Sequence, residues 1–235
     1  MIPKKIHYCW FGGKALPLEI KKCIKSWEKY CPEYEIIRWD ESNFDIKCNK
    51  FVQEAYKQKA WAFVSDYARL QIVYNEGGIY LDTDVELLKN LDFLLDNKCY
   101  VAMQSANMQC NTGLGFGAEP NSPVILKMMT EYENITFMKE RMAEIACPVL
   151  NTKVLLKLGY VHSDEIVKFP EVTVFPPRYF DPYGEDKNLV CKDTVSIHHY
   201  SATWLDWKTI LKRKIIRVIG QERTLKLKKV LKFNR

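Results

Sequence analysis

A stretch that joins a buried helix to a buried strand constrains the fold of this chain most strongly. Residues 60–76 carry apolar side chains on nearly all sides of a helix, so we expect this helix to be buried. Gly77 and Gly78 end the helix, and a short apolar strand follows at 79–81. A buried helix that leads directly into a buried strand is typical of α/β proteins.

The rest of the chain continues this alternation of strands and helices. Strands are predicted at 5–10, 35–39, 100–104, 113–117, 166–169 and 195–200. Helices are predicted at 18–30, 51–59, 124–132 and 151–158. A strand, a helix and a second strand at the start of a chain, with a loop after the first strand, are how nucleotide-binding α/β sheets begin.

Two aspartates one residue apart follow the strand at 79–81. In an extended chain alternate side chains share a face, so Asp82 and Asp84 should point the same way, roughly 7 Å apart. Two hard oxygen ligands at the end of a buried strand suit Mg²⁺ or Mn²⁺ carrying a diphosphate. A solvent-exposed strand end is the alternative, and the apolar residues before the pair argue against it.

The buried helix itself carries a charged pair. Asp66 and Arg69 are three residues apart and therefore lie on one helix face. One interpretation is an intrahelical ion pair that supports the fold. The other is that both groups face a cleft and bind hydroxyls of a polar substrate. Their position just before the two aspartates favours the second interpretation.

Charge divides the chain into two parts. The net charge of +6 is the balance of +10 in residues 208–235 and −4 in residues 1–207. We therefore predict a domain at 1–207 and a basic tail at 208–235. No secretory signal and no membrane span is expected from the sequence. The eight cysteines form no CxxC pair, and we expect free thiols in a reducing cytosol.

The tail has leucine and isoleucine at roughly helical spacing among its lysines and arginines. It is either a solvated terminal helix or an amphipathic anchor on an anionic membrane, and its charge favours the anchor. Nucleic acid is not an expected partner, because the tail offers only Phe233 for base stacking. We expect a cytoplasmic protein that is bound peripherally to the inner face of the membrane.

Five segments in this order resemble the DXD-containing sugar transferases of glycosyltransferase family 32. They are Ile-Pro-Lys-Lys-Ile-His-Tyr-Cys-Trp-Phe-Gly-Gly at 2–13, Ala-Phe-Val-Ser-Asp-Tyr-Ala-Arg at 62–69, Glu-Gly-Gly-Ile-Tyr-Leu-Asp-Thr-Asp at 76–84, Asn-Thr-Gly-Leu-Gly-Phe-Gly-Ala at 111–118 and His-His-Tyr-Ser-Ala-Thr-Trp at 198–204. Yeast-type mannosyltransferases, bacterial capsule and lipopolysaccharide transferases and clostridial glucosylating toxins belong to this group. The resemblance spans most of residues 2–207 and leaves the tail uncovered.

The resemblance implies a GT-A fold, an α/β structure in which helices flank a mixed nucleotide-binding sheet. It further implies a nucleotide-sugar donor, expected to be UDP-linked, and retention of the anomeric configuration. The transferred sugar would be a hexose or N-acetylhexosamine. A glycan acceptor is expected, lipid-linked if the tail is a membrane anchor. Synthesis of surface polysaccharide (capsule, lipopolysaccharide or exopolysaccharide) is the corresponding biological role.

The resemblance also implies roles for single donor-site residues. Trp10 would stack on the nucleotide base, as an aromatic side chain at the end of the first strand can. Ser65, Asp66 and Arg69 would contact the ribose or sugar of the donor, and Tyr80 would line the donor site. Asp66 and Arg69, with the two aspartates, form the predicted catalytic set.

Metal ligands are implied at two places in the chain. Asp82 would bind ribose and contribute to the metal site, and Asp84 would coordinate the metal directly. His198 and His199 face opposite sides of the last predicted strand, and the spacing to Trp204 favours His199, with His198 as the alternative. An imidazole among oxygen ligands favours Mn²⁺ over Mg²⁺.

Three further positions carry weaker implications. Asn111 is a candidate for positioning the sugar or acceptor, and a turn residue before the glycine-rich stretch is an equal alternative. Trp204 is a donor-site candidate in the closing motif, where Thr203 stands at a position usually occupied by serine. Cys147 replaces the glycine of a family segment before Pro148, so that match has little weight.

Two other functional classes fit parts of this pattern. A haloacid-dehalogenase-type, Mg²⁺-dependent phosphohydrolase also places an Asp-x-Asp pattern after an apolar strand, but that motif normally opens its domain, whereas 81 residues precede Asp82 here. A non-catalytic carbohydrate-binding membrane adaptor would explain the tail but not the intact Asp82 and Asp84. A transferase explains both.

Overall fold

The computed structural model of the protein describes residues 1–183 and 188–201. Met1–His199 form one compact unit, and of the second unit, which begins at Tyr200, only Tyr200 and Ser201 are described. The predicted boundary at 207, the basic tail and its predicted helix lie outside the described residues. No helix among the described residues is both long and apolar enough to cross a bilayer.

Seven α-helices and nine strands are assigned within the described ranges. The helices are α1 Leu18–Tyr30, α2 Lys50–Lys57, α3 Trp61–Glu76, α4 Pro123–Thr130, α5 Met142–Ile145, α6 Cys147–Lys157 and α7 Pro177–Phe180. The strands are β1 Lys5–Cys9, β2 Glu35–Trp39, β3 Gly78–Tyr80, β4 Val85–Leu87, β5 Cys99–Ala102, β6 Phe116–Ala118, β7 Val167–Lys168, β8 Thr173–Phe175 and β9 Ser196–His198. Short 3₁₀ turns lie at Asp92–Leu94 and Lys139–Arg141.

A mixed sheet of seven strands forms the centre of the described unit. Its strand order is β2-β1-β3-β6-β5-β8-β7. β1 runs parallel to β2 and β3, and β5 runs parallel to β8, while the remaining neighbours are antiparallel. β4 and β9 form a separate antiparallel pair. The mixed sheet with flanking helices confirms the predicted α/β class.

Alternation along the strands divides the apolar residues between the two faces of the sheet. In the region of β3, Tyr80 packs into the cluster formed with α2, α3, α4 and α6. Its neighbours Ile79 and Leu81 pack into the opposite cluster, with Trp27 of α1 and Phe180 of α7. The sheet is therefore covered on both sides, which explains why β3 is apolar throughout.

The junction between α3 and β3 requires glycine. Gly77 has φ of 63° and ψ of −171°, a backbone conformation that is essentially open to glycine alone. A Cβ at this position would lie 2.7 Å from the Pro120 ring and 2.9 Å from the Pro3 ring. The predicted end of the buried helix at this glycine is confirmed, and the tight turn directs the chain straight into the sheet.

The structure departs from the predicted strands at two functional segments. β3 ends at Tyr80, and Asp82–Asp84 lie in a turn closed by a 3.0 Å hydrogen bond from Val85 N to Asp82 O. The strand predicted at 113–117 begins only at Phe116, because residues 111–114 form another turn. Polar side chains that bind the local backbone favour such turns over extended structure.

Elements at the end of the domain also differ from the prediction. α6 begins at Cys147, four residues before the predicted start, with Pro148 in its first turn, where a missing N–H is tolerated. β8 and α7 were not predicted, because three or four residues carry too little periodicity to be recognised.

Candidate active site

The two aspartates lie where the central sheet gives way to the small β4–β9 sheet. Leu81 N still donates to His7 O of β1 at 3.1 Å, and Asp82 N donates to Gly113 O at 3.1 Å. Asp82 therefore follows the carboxyl end of β3, between β1 and the loop that precedes β6. Ligands of open α/β sheets bind outside the carboxyl ends of strands, and the aspartates occupy that position.

Three side chains converge at this edge of the sheet. The metal-binding atoms of Asp82, Asp84 and His198 all lie within 4.8 Å of one another. His198 Nε2 is 3.0 Å from Asp84 Oδ1, and both side chains are buried. Two carboxylates and an imidazole suit a divalent transition metal such as Mn²⁺. The residues present therefore fit the metal that the sequence implies.

The structure brings His198, the alternative, to the aspartates, and not the preferred His199. Val85 pairs with His198 in the antiparallel β4–β9 register, which directs the His198 side chain towards the turn before β4. His199 faces the other way, with its Nε2 2.9 Å from Glu86 Oε2. Sequence spacing to residue 204 could not reveal this register, and the geometry favours His198 as the ligand.

Arg69 connects the buried helix to the aspartate turn. Its Nη2 lies 3.1 Å from Asp66 Oδ1 and 3.2 Å from Asp82 Oδ1. Its Nε donates to Ser65 O at 3.0 Å, and its guanidinium lies 5.0 Å from the centre of the Tyr80 ring. The intrahelical ion pair that was one of the two interpretations is present, and it extends to one of the two aspartates.

Burial and neighbouring charges shift the pKa values of this cluster. Burial raises the pKa of Asp66 to about 6, against the opposing effect of Arg69. Burial lowers the pKa of Arg69, but the surrounding negative charges, Asp82 first among them, together outweigh burial and leave that pKa well above its usual value. Burial likewise opposes charge on His198, and Asp84 raises the pKa of His198 above its usual value. Carboxylates thus dominate the electrostatics of the site.

Asp66 also contacts the beginning of α6. It lies close enough to Cys147, the first residue of that helix, for the backbone N–H and thiol of Cys147 to lower the pKa of Asp66. Ala146, the residue at the N-cap, offers no side-chain cap, and the carboxylate of Asp66 places negative charge near this end of α6, where the helix dipole favours it. Sequence reasoning gave Cys147 little weight and did not find this contact, because its two partners are far apart in the chain.

The loop before β6 forms one wall of the aspartate turn. Asn111 Oδ1 accepts from Gly113 N at 2.8 Å, and Asn111 Nδ2 donates to Gln104 Oε1 at 2.9 Å. A Cβ on Gly113 would lie 2.2 Å from Asp82 Oδ2, so this glycine allows the closest approach of the loop to the carboxylate. These contacts match the interpretation of Asn111 as a turn residue. Gly113 and Gln104 were not among the site residues predicted from the sequence.

The other predicted donor-site residues lie around this cluster or outside the described chain. Tyr80 OH donates to Asp82 Oδ1 at 3.1 Å. The Ser65 hydroxyl and Tyr80 both reach the buried thiol of Cys9, at the end of β1. Trp10 follows on the same strand end, half-buried, with its Nε1 donating to Lys14 O at 2.6 Å. Trp204 and Thr203 lie outside the described residues.

Asp181 is a buried carboxylate that sequence analysis did not identify. Its Oδ2 accepts from Ser105 N at 2.7 Å and from Ser105 Oγ at 2.8 Å. Its charge also contributes to the raised pKa of His198. A single aspartate in an irregular segment carries no signal in the sequence, so only the fold reveals that it lies near the histidine.

Comparison with known proteins places this fold and site in a class. Residues 17–101 match the family described as "Glycosyltransferase sugar-binding region containing DXD motif", a range that includes Asp82 and Asp84. The PaToxG glycosyltransferase has the same fold, with a TM-score of 0.55 and 20% identity over 67% of this chain and 69% of that one. The chain is a glycosyltransferase, and its sheet is of the GT-A type.

Two related proteins with glycosyltransferase names are similar to this chain in sequence. An uncharacterized glycosyltransferase of Acanthamoeba polyphaga mimivirus is 28% identical over 223 residues, which cover 87% of this chain and 84% of the relative. Inositol phosphoceramide mannosyltransferase 3 of Schizosaccharomyces pombe is 29% identical over 140 residues, or 58% of this chain and 38% of the relative. The resemblance to DXD-containing sugar transferases is thus confirmed, and the matches favour a transferase over a phosphohydrolase or a binding-only adaptor.

Proposed function

We propose that this glycosyltransferase is metal-dependent and transfers a hexose or N-acetylhexosamine from a UDP-linked donor to a glycan acceptor, with retention of configuration. The observation that carries the proposal is the convergence of Asp82, Asp84 and His198 at the end of β3. These three residues would hold a divalent cation, Mn²⁺ in preference to Mg²⁺, which would supply Lewis-acid neutralisation of the leaving diphosphate. His198 comes from β9 and the two aspartates from the turn that precedes its partner strand β4, so the fold presents the three side chains together.

The remaining residues orient the donor in this proposal. Arg69 holds the carboxylates of Asp66 and Asp82 through the same nitrogen, which fixes the distance between the sugar end and the phosphate end of the site. Asp66 then accepts hydrogen bonds from sugar hydroxyls, and Trp10 stacks on the base. Positioning of this kind lowers the barrier because reacting groups start close to their reactive geometry.

Retention is assigned to attack on the same face as the departing phosphate. A covalent route would need a free carboxylate as nucleophile. Asp66 is engaged by Arg69 and α6, Asp82 by Arg69 and Tyr80, and Asp181 by Ser105. Each of these groups would have to give up buried partners to attack the sugar, which disfavours the covalent route.

A lipid-linked acceptor at the cytoplasmic face of a membrane completes the proposal. The charge of +10 in residues 208–235 supports contact with anionic lipid. The name of the fission yeast relative refers to a lipid substrate, and the match covers 38% of that protein's length. We therefore place the reaction in the synthesis of surface polysaccharide on a membrane carrier.

A screen of nucleotide sugars by thermal shift, with and without Mn²⁺, tests the proposal. One donor should raise Tm by about 5 °C in the presence of Mn²⁺, as expected for a ligand well above its Kd. Asp84→Asn should abolish the shift, while Asp96→Asn, which neutralises an exposed carboxylate, should retain it.

Hydrolysis of the same donor separates a transferase from a binding protein. A transferase releases free sugar slowly when no acceptor is present, and this release should require Mn²⁺ and Asp84. The proposal is refuted if no nucleotide sugar shifts Tm, or if the shift is the same in Asp84→Asn as in the unmodified protein.

A further inference from the structure

Helix α1 lies against the small sheet that carries part of the candidate metal site. Trp27 Nε1 donates to Val85 O at 2.7 Å, and Leu87 N donates to Ser26 Oγ at 2.9 Å. Ile20, Cys23 and Trp27 are the buried residues of this helix. These contacts fix the inner face of α1 on β4, directly after Asp84, so the opposite face is directed away from the site.

Four lysines and one leucine occupy the centre of that outer face, and the exposed Glu19 and Glu28 lie at its edges. Leu18, Lys22, Lys25 and Lys29 are spaced four, three and four residues apart, and they therefore form one stripe along the helix, with Lys21 beside it. All five side chains are exposed, and Leu18 is 76% exposed. We call these five residues the lysine face.

The positive charge of the lysine face is only partly balanced on its own helix, where four lysines stand against Glu19 and Glu28. Lys21, Lys22 and Lys25 make no ion pair with any described residue, and the ammonium of Lys29 lies 4.7 Å from the centre of the Tyr30 ring. Residues 1–207 carry a net charge of −4, so this face is a concentration of positive charge on an acidic body. Solubility does not require such a distribution, whereas an anionic partner does.

We propose that the lysine face binds the surface of an anionic lipid bilayer. Lysine ammonium groups are point charges that need no fixed geometry from their partner, which suits mobile lipid headgroups. Leu18 places an exposed apolar side chain in the same stripe, as in helices that lie at a membrane interface. This contact is separate from the tail and from the donor site, so it goes beyond the membrane contact proposed above.

The contact would set the distance between the candidate active site and the membrane. A helix with its side chains is about 10 Å across, so β4 and the neighbouring aspartate turn would lie about one helix diameter from the lipid headgroups. An acceptor whose lipid part remains in the bilayer could then present its sugar to the site. The tail alone would attach the protein without fixing this orientation.

Vesicle co-sedimentation with the full-length protein tests this inference. The vesicles contain either phosphatidylcholine alone or phosphatidylcholine and phosphatidylglycerol in about a seven-to-three ratio, so that only the second kind is anionic. The test variant is K22E/K25E/K29E, and the matched control K127E/K139E/K153E reverses three exposed lysines on α4, the 3₁₀ turn and α6. Both variants change the net charge equally.

The test variant should lose about 100-fold or more in partitioning onto anionic vesicles, because three attractive charges are removed and three repulsive ones are added. The control should lose less than about 3-fold, since its lysines are not in the proposed contact. Donor hydrolysis in solution and Tm should be unchanged in both variants, so a failure of this inference is distinguishable from a failure of the proposed function.

Three results would overturn the inference. Equal losses in the two variants would mean that only net charge matters, and no loss in either would leave the membrane contact to the tail. Strong binding of duplex DNA that depends on the lysine face, without binding to vesicles, would identify nucleic acid as the partner.

Discussion

At the scale of single residues, the position of Asp82 depends on a neighbour without a side chain. Gly113 lies so close that its absent Cβ would overlap Asp82 Oδ2 at 2.2 Å and approach Arg69 Nη1 at 3.0 Å. The backbone N–H of Gly113 is held by Asn111 Oδ1, so the loop cannot easily move away. The carboxylate of Asp82 is therefore confined between Arg69 and this loop.

Gly113→Ala should displace the Asp82 carboxylate and weaken Mn²⁺ binding about 10- to 100-fold, the usual effect of disturbing groups that orient metal ligands. Isothermal titration with Mn²⁺ measures this directly. Gly13→Ala is the control: its Cβ meets no atom within 4 Å, so the strain from its φ of +68° acts on its own loop and not on the metal ligands. Unchanged Mn²⁺ affinity in Gly113→Ala would show that the loop adjusts and that Gly113 does not position Asp82.

At the scale of secondary-structure elements, strand alternation decides which histidine reaches the aspartates. β9 is only three residues long and pairs with β4 through Val85 and His198. Consecutive side chains of an extended chain face opposite sides, so His199 is directed to Glu86 instead. A register shift of one residue would exchange the two histidines.

His198→Ala should reduce Mn²⁺ affinity at least about 10-fold, because it removes the imidazole from the three-ligand group. His199→Ala removes an exposed pair with Glu86, and we expect less than about a 2-fold change from it. Mn²⁺ binding followed by electron paramagnetic resonance compares the two variants. The reverse order of effects would return the ligand role to His199.

At the scale of the whole molecule, a buried histidine of β1 links this strand to β2 and to the end of α3. His7 Nε2 lies 2.8 Å from Gly77 O at the end of α3, and Trp39 Nε1 of β2 donates to His7 Nδ1 at 3.1 Å. One nitrogen must therefore donate and the other accept, which fixes the neutral form. Burial lowers the pKa of His7, in agreement with these contacts.

The free energy of unfolding should therefore depend on pH through His7. The unfolded chain takes up a proton near pH 6.5 and the folded protein only at lower pH, so stability that is present above pH 6.5 is lost as the pH falls. Urea unfolding measures this pH dependence when the wild type and His7→Gln are compared at about pH 7.5 and about pH 5. These two pH values lie on either side of the ordinary histidine pKa.

The wild type should lose on the order of 1 kcal/mol more than His7→Gln between the two pH values. The variant lacks the titrating group but retains every other one, so the difference between the two proteins reports on His7. A difference that stays constant with pH would show that protonation of His7 does not contribute.

Much of this architecture could be predicted from local patterns. The bounds of α1 and β2, the buried helix α3 and its end at Gly77 all matched, because each depends on periodicity or on glycine within a short stretch. The candidate acidic pair was recognised for the same reason. Short elements such as β8 and α7 were missed, because a few residues hold no measurable periodicity.

The amino-acid sequence alone determined the α/β class, the Asp-x-Asp pair, the charged pair on α3 and the segregation of positive charge, because these depend on residues close together in the chain. Only the tertiary structure decided that His198 joins the aspartates, that Asp66 lies near the start of α6, that Gly113 confines Asp82 and that the lysines of α1 face away from the site. Each of these depends on strand register or on packing between segments far apart in sequence, and no local pattern encodes such distances.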